Sequence, residues 1–311
     1  MRLFSARGRR TSGRFSMGTL RAAAILGGFF TLTVPLMPVQ AALLRVSPRG
    51  ARQFPNWYHR QVCRLLGVRL HIEGEISPDR PVLVVANHTS WLDIPVLSAV
   101  APLSFVAKKD VARWPFVSTL AKLQRTVFVD RERRSAVGET TNEMTARLAA
   151  GDAVVLFAEG TSSDGNRVLP FKTSLFAAAK PPARAGERPS AQAGSDVVVQ
   201  TLSLVYTRLH GVPINRAARP LVGWYGDMEM QSHAWALLKA GPLDVSIRIG
   251  APIPLEAFAD RKDLARRSED EIRRNVVQIL RSYPRDAEIA VTRPAGGFAA
   301  ASASGGRSVF R

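Results

Sequence analysis

Apolar positions along this chain fall into two kinds of pattern. The first is one long uncharged run, Ala22 to Leu44, reading "AAAILGGFFTLTVPLMPVQAALL". The second begins near residue 81, where short β-branched runs recur: "PVLVVA", "LSFVAK", "TVFVD", "DAVVLFA", "DVVVQTLSLVY", "LVGWYG" and "DVSIRIG". Stretches such as "TTNEMTARLAA" and "FKTSLFAAA" lie between them and read as helices. Continuous apolar strands alternating with helices predict an α/β fold with a mixed, largely parallel sheet covered on both faces. Between the long run and that repeating region, "RVSPRGARQFPN" reads as a linker. An amphipathic helix of about a dozen residues follows from Trp57, with Trp57, Val62, Leu65 and Leu66 on one side and arginines opposite. The segments Lys180–Asp196 and 286–311 are rich in Pro, Gly and Ala and are expected to be irregular or disordered.

Charge changes the picture at the N-terminus. Residues 1–21 carry six arginines and no acid, and the whole chain has a formal net charge of +18. As a helix, residues 22–44 would run roughly 35 Å, enough for a hydrocarbon core of about 30 Å, although Gly27, Gly28, Pro35 and Pro38 weaken it. A membrane anchor or in-plane membrane helix is one reading. A cleaved signal peptide ending near "VQA" and a buried soluble helix are the others. The arginines place residues 1–21 as a basic arm on the cytoplasmic side of the inner membrane. Residues 45–285 are then taken as one domain. The single cysteine, Cys63, excludes an intramolecular disulfide and a cysteine-based metal site.

Three short segments carry candidate chemistry. In "VVANHTSWLD" an apolar strand delivers His88 to its carboxyl end, where ligands collect in α/β sheets. On one regular helix His88 and Asp93 would point about 140° apart. Pro95, however, is tolerated only in a first turn, so the helix should begin near Trp91 or Leu92. That leaves His88 free to fold back onto Asp93, which would fix its tautomer and leave the other ring nitrogen as a base. A plain capping box, "SWLD", is the competing reading. In "VVLFAEGTSSDG" a buried strand ends in Glu159-Gly160-Thr161, a turn able to receive an anion, or an ordinary strand-to-loop turn. In "TVFVDRERR" a strand ends in Asp130 and Arg131, a place suited to phosphate recognition or to a solvated charge cluster.

Taken in order, "NHTSWLD", "TVFVDR" and "FAEGTSSDG…LPFK" resemble the lysophospholipid acyltransferase family, over roughly residues 68–250. The resemblance implies an α/β core held to the cytoplasmic membrane face by an N-terminal helical segment. It implies a catalytic pair at His88 and Asp93, and an acceptor-binding set at Arg131, Glu159, Gly160 and Thr161, with Lys172 of "PFK" helping to hold an anion. The implied reaction moves a fatty acyl chain from a thioester of coenzyme A or acyl carrier protein to a lysophospholipid hydroxyl. No other cofactor and no metal is expected, and the family's default acceptor is 1-acylglycerol-3-phosphate, giving phosphatidate. Two departures bear on that acceptor. Where the family commonly has proline and arginine around E-G-T, this chain has Ala158 and Ser162. The missing arginine admits a phosphate-free acceptor such as a lyso-ornithine lipid.

A basic nucleic-acid-binding protein or a membrane scaffold is the alternative of another class. Against nucleic acid, the basic residues concentrate at the N-terminus and in "RKDLARRSEDEIRR", which also holds acids, and aromatic content is 7%. The remaining histidines (His59, His71, His210, His233) are expected to be structural or surface residues.

Overall fold

The computed structural model describes residues 16–78, 81–108, 114, 116–129, 136–178 and 197–282. The basic arm up to residue 15, the Lys180–Asp196 segment and the tail from 286 lie outside the described residues, as does Arg131.

Among the described residues nine strands form one sheet: β1 (Val68–Glu73), β2 (Val82–Ala86), β3 (Leu103–Lys108), β4 (Val127–Val129), β5 (Ala153–Phe157), β6 (Val198–Leu209), β7 (Val212–Pro213), β8 (Leu243–Ile249) and β9 (Ile253–Pro254). Their order is β1-β8-β6-β2-β5-β3-β4, with the two-residue β7 and β9 pairing on β6. The pairings β6-β2, β2-β5, β5-β3 and β3-β4 are parallel, and β7, β8 and β9 run antiparallel to β6. The expected mixed, largely parallel sheet is present. All five residues of β2 are buried because the sheet is covered on both faces. Val82, Val84 and Ala86 face one core, which includes residues of α2 (Pro48–Leu66), α3 (Asp93–Val100) and α6 (Met230–Ala240). Leu83 and Val85 face the other, with residues of α5 (Ala136–Ala149) and α7 (Arg261–Arg281).

The long apolar run lies within α1 (Met17–Val46), 30 residues, or about 45 Å. It is long and apolar enough to cross a membrane, and it is mostly exposed. Ala22, Ile25, Thr33 and Gln40 face the protein, whereas Leu20, Leu26, Phe30, Val34 and Val39 face outward. The segment read as a linker is helical instead, since α2 begins at Pro48 and runs back along α1. Tyr58 meets Thr33 at 2.7 Å, and Gln40 reaches Ala51, so the two helices are antiparallel.

The segment holds two prolines, and local chemistry accommodates both. Pro48 occupies the first helical position behind the Ser47 cap, where its missing N–H costs nothing. Pro55 lies inside the helix and cannot donate to the carbonyl of Ala51. The Gln40 side-chain amide donates to that carbonyl at 3.0 Å and, at the end of α4 (Val117–Leu123), to Leu123 O at 2.9 Å. At the other end of α1, the Arg21 guanidinium donates to Leu66 O at 2.9 Å and to Leu238 O, the carbonyl-rich ends of α2 and α6.

Candidate active site

Sheet register places the first two motifs side by side. Ala86 of β2 pairs with Phe157 of the neighbouring parallel β5. His88 and Glu159 each follow their strand's paired residue by two positions, so both emerge at one carboxyl edge. The adjoining β6 runs on past the end of β2. Asn87 continues the ladder with its side chain, donating to Leu204 O at 2.9 Å and accepting from Leu204 N at 2.8 Å.

The chain then turns into α3, whose first residue is Asp93. Pro95 therefore falls in the first turn, where its absent N–H breaks no helix bond. His88 stays outside the helix and folds back, and its Nδ1 lies 2.7 Å from Asp93 Oδ2. The same carboxylate oxygen accepts the N–H groups of Thr89 at 2.7 Å and Ser90 at 3.0 Å, while Oδ1 accepts the Tyr206 hydroxyl at 2.6 Å. Asp93 is fully buried, and these four donors, with the positive end of α3, compensate its lost hydration. Nδ1 donates to the carboxylate, so Nε2 carries the lone pair. The imidazole stacks on Phe157 with ring centroids 4.1 Å apart, and its side chain is 18% exposed. A ring so oriented, with one edge open, is arranged to accept a proton from a bound hydroxyl.

Glu159, expected to bind the acceptor, lies beneath the histidine loop. It is 1% exposed, and its two oxygens accept the backbone N–H groups of His88 and Leu169, each at 2.8 Å. Burial pushes its carboxyl up to about 7 against the pull of those donors, with Asp93 and Glu269 adding in the same direction. Gly160 makes the turn at φ 72°, and the Lys172 side chain crosses it so closely that a Cβ there would come within 2.9 Å of Lys172 Cδ. The Lys172 backbone donates to Ala158 O at 2.9 Å. Thr161 and Lys172 are exposed beside this turn. The Ser163 N–H donates to His88 O at 2.9 Å, closing the loop against the histidine.

"LVGWYG", expected to be a strand, forms the opposite wall. Its first residue ends a short 3-10 turn, and the Trp224 N–H then donates to Thr89 O at 2.9 Å. The Ser162 hydroxyl donates to Trp224 O. On α6, His233 Nδ1 accepts the Trp91 indole N–H at 3.1 Å. Neither Tyr206 nor His233 stood out in the sequence, since each contacts the His88–Asp93 loop from more than a hundred positions away.

The acyltransferase family model matches residues 67–205, a span that contains the His–Asp loop, the E-G-T turn and Tyr206's neighbour Val205. The chain is 46% identical over 258 residues to a lyso-ornithine lipid O-acyltransferase of Brucella abortus, spanning 83% of this chain and 94% of that protein. This protein belongs to the lysophospholipid acyltransferase family. A lyso-ornithine lipid O-acyltransferase of Rhizobium meliloti is 42% identical, spanning 85% of this chain and 88% of that one. A 1-acyl-sn-glycerol-3-phosphate acyltransferase of Neisseria meningitidis is 31% identical, spanning 75% and 81%. In fold, this acyltransferase matches the crystal structure of the 1-acyl-sn-glycerophosphate acyltransferase of Thermotoga maritima. The TM-score is 0.58 at 22% identity, over 85% of this chain and 95% of that one.

Proposed function

We propose that this acyltransferase moves a fatty acyl chain from a thioester to the free hydroxyl of a lyso-ornithine lipid. The observation that carries the mechanism is the 2.7 Å contact between His88 Nδ1 and Asp93 beneath a partly open ring. His88 Nε2 takes the hydroxyl proton as the oxygen attacks the thioester carbonyl. Asp93 stabilises the imidazolium so formed. As the tetrahedral intermediate collapses, the carbon–sulfur bond breaks and His88 returns the proton to the leaving thiolate. An ester and a free thiol result, and no acyl group is held on the protein. General-base catalysis of this kind contributes about 10²–10⁴-fold. The remainder comes from holding thioester and hydroxyl in register.

Two observations favour the phosphate-free acceptor. The Brucella and Rhizobium relatives of 46% and 42% identity carry that name. Ser162 also occupies the position next to the E-G-T turn where the family commonly has arginine, and its hydroxyl is turned to the Trp224 carbonyl. The second reading, 1-acylglycerol-3-phosphate as acceptor, is supported by the Neisseria relative. The donor is coenzyme A or acyl carrier protein.

The acyltransferase is proposed to work at the inner membrane, with its active site on the cytoplasmic face. Arg21 near one end of α1 and Gln40 near the other both bind the catalytic domain, so the helix lies along that domain with its apolar face outward. A helix tied at both ends suits the plane of the lipid surface.

The test supplies the purified full-length protein with a labelled acyl thioester, as coenzyme A and as carrier-protein conjugate. Lyso-ornithine lipid and 1-acylglycerol-3-phosphate are compared as acceptors. A kcat/KM at least tenfold higher for the ornithine acceptor is expected. Preference for the phosphate acceptor would reverse the assignment, and transfer to neither would remove it.

A further inference from the structure

Asp93 has two oxygens in unequal situations. Oδ2 receives three donors, His88 Nδ1 and the N–H groups of Thr89 and Ser90. At Oδ1 the Tyr206 hydroxyl is the one donor found among the described residues, at 2.6 Å. Both residues are inside the protein, Asp93 with 0% and Tyr206 with 4% of its surface exposed. A buried carboxylate oxygen with no donor is expensive, so this one hydroxyl decides whether the carboxylate is fully compensated.

The fold delivers the hydroxyl with little freedom to wander. β6 is held against β2 from Val198 to Leu202, then clasped by the Asn87 side chain at Leu204. Tyr206 lies two residues further on the same side of the strand, directly under the loop that carries His88 and Asp93. On its other edge β6 is paired with β8, where Tyr206 registers with Val245. Burial and the adjacent Asp93 charge drive the phenol well above its ordinary range, so it remains a donor at every working pH.

We propose that Tyr206 is a positioning residue for acyl transfer: its hydroxyl fixes the Asp93 carboxylate, which in turn orients His88. It touches neither substrate nor the reacting atoms. Its action rests on the reading of His88 as the base. By donating to Oδ1 it keeps Oδ2 turned to Nδ1, and it draws off negative charge that would otherwise bind the imidazolium proton too firmly. Other titratable groups border the trio. Glu159 approaches from the end of β5, and Cys63 from α2, whose thiol lies 3.6 Å from Pro95 O. His233 reaches the loop through Trp91. All three are retained in the variants compared, so the differences report on the hydroxyl.

The experiment compares Tyr206→Phe with the wild type in the full-length protein, reading kcat, KM and the pH profile. Loss of a buried hydrogen bond to a charged group predicts a fall in kcat of roughly 10- to 100-fold with KM nearly unchanged. The acid limb should move to higher pH, because the uncompensated carboxylate holds the imidazolium proton longer. Site-specific 3-fluorotyrosine at 206 keeps the ring and sharpens the donor, and should move the limb to lower pH. That variant preserves shape and decides the matter even if Tyr206→Phe folds poorly. Unmoved acid limbs in the variants that fold would overturn the proposal, whatever happens to kcat. If His88→Ala is inactive while both Tyr206 variants behave as wild type, only the role of Tyr206 fails. If His88→Ala turns over normally, the underlying mechanism fails with it.

Discussion

The Glu159 carboxylate accepts the backbone N–H of His88 at 2.8 Å, so the E-G-T turn holds the histidine loop from beneath. Its other oxygen holds Leu169 N, tying the "LPFK" segment to the same point. Glu159→Ala leaves two N–H groups without their acceptor in a buried setting. A stability loss of about 2–4 kcal/mol is expected, from two unmade hydrogen bonds at about 1–3 kcal/mol each less some recovery by water. Urea unfolding measures it, and an unchanged midpoint would refute the bracing role.

The same residue makes stability depend on pH. Its carboxyl ionises near 4.5 in an unfolded chain and at about 7 in the fold. Between those values the folded state binds more protons than the unfolded one, so stability falls as pH rises from about 4.5 to about 7, then levels. Glu159→Gln cannot ionise. The stability of wild type relative to Glu159→Gln should therefore decrease across that window. Parallel curves from pH 4.5 to 8 would show that the buried carboxyl does not titrate there.

His88→Ala should lower kcat by about 10²–10⁴-fold, the range for a positioned general base. The ring stacks on Phe157 but carries no core strand, so thermal stability should change little. Membrane association should persist, because α1 and α2 are untouched. Normal turnover by the variant would rule out the proposed base.

Ser162→Arg introduces the residue that the resemblance makes common at this position in the family. It removes the bond to Trp224 O and places a guanidinium beside Thr161 and Lys172. The ratio of kcat/KM for 1-acylglycerol-3-phosphate over lyso-ornithine lipid should rise by about tenfold, from one added charge-assisted contact of about 1.5 kcal/mol. A constant ratio in the two-acceptor assay would show that this position does not set headgroup choice.

Leu26, Phe30 and Val34 follow one another at helical spacing on the outward face of α1. Replacing all three by glutamine removes apolar area without disturbing the inward residues Ile25, Thr33 and Gln40. Sedimentation with anionic vesicles should fall at least tenfold while the circular dichroism spectrum is kept. Undiminished binding would place the lipid-facing surface elsewhere.

Much of the sheet was legible because the fully buried strands print as unbroken β-branched runs. "PVLVVA" and "DAVVLFA" became β2 and β5, whose register then set His88 beside Glu159. The start of α3 was legible from Pro95, since one missing N–H fixed where the helix could begin. "LVGWYG" misled because its apolar residues serve a wall of the site, with Val222 buried and Trp224 bonded to Thr89. The early start of α2 was hidden because Pro55 is tolerated through a side chain 15 positions away. Tyr206 was hidden for a similar reason, as its partner lies 113 positions earlier and only strand pairing brings them together. The bracing bonds of Glu159 to the N–H groups of His88 and Leu169 had no local signal either.

The fastening of α1 at Arg21 and again at Gln40 fixes that helix against the α/β core at both ends. With α1 in the lipid plane, as proposed, that fastening would set the depth of the enzyme once, and His88 would meet every acceptor at the same height above the acyl tails. On the proposed reading, a single-tailed lipid would offer its hydroxyl without being lifted out, and a two-tailed product would leave sideways.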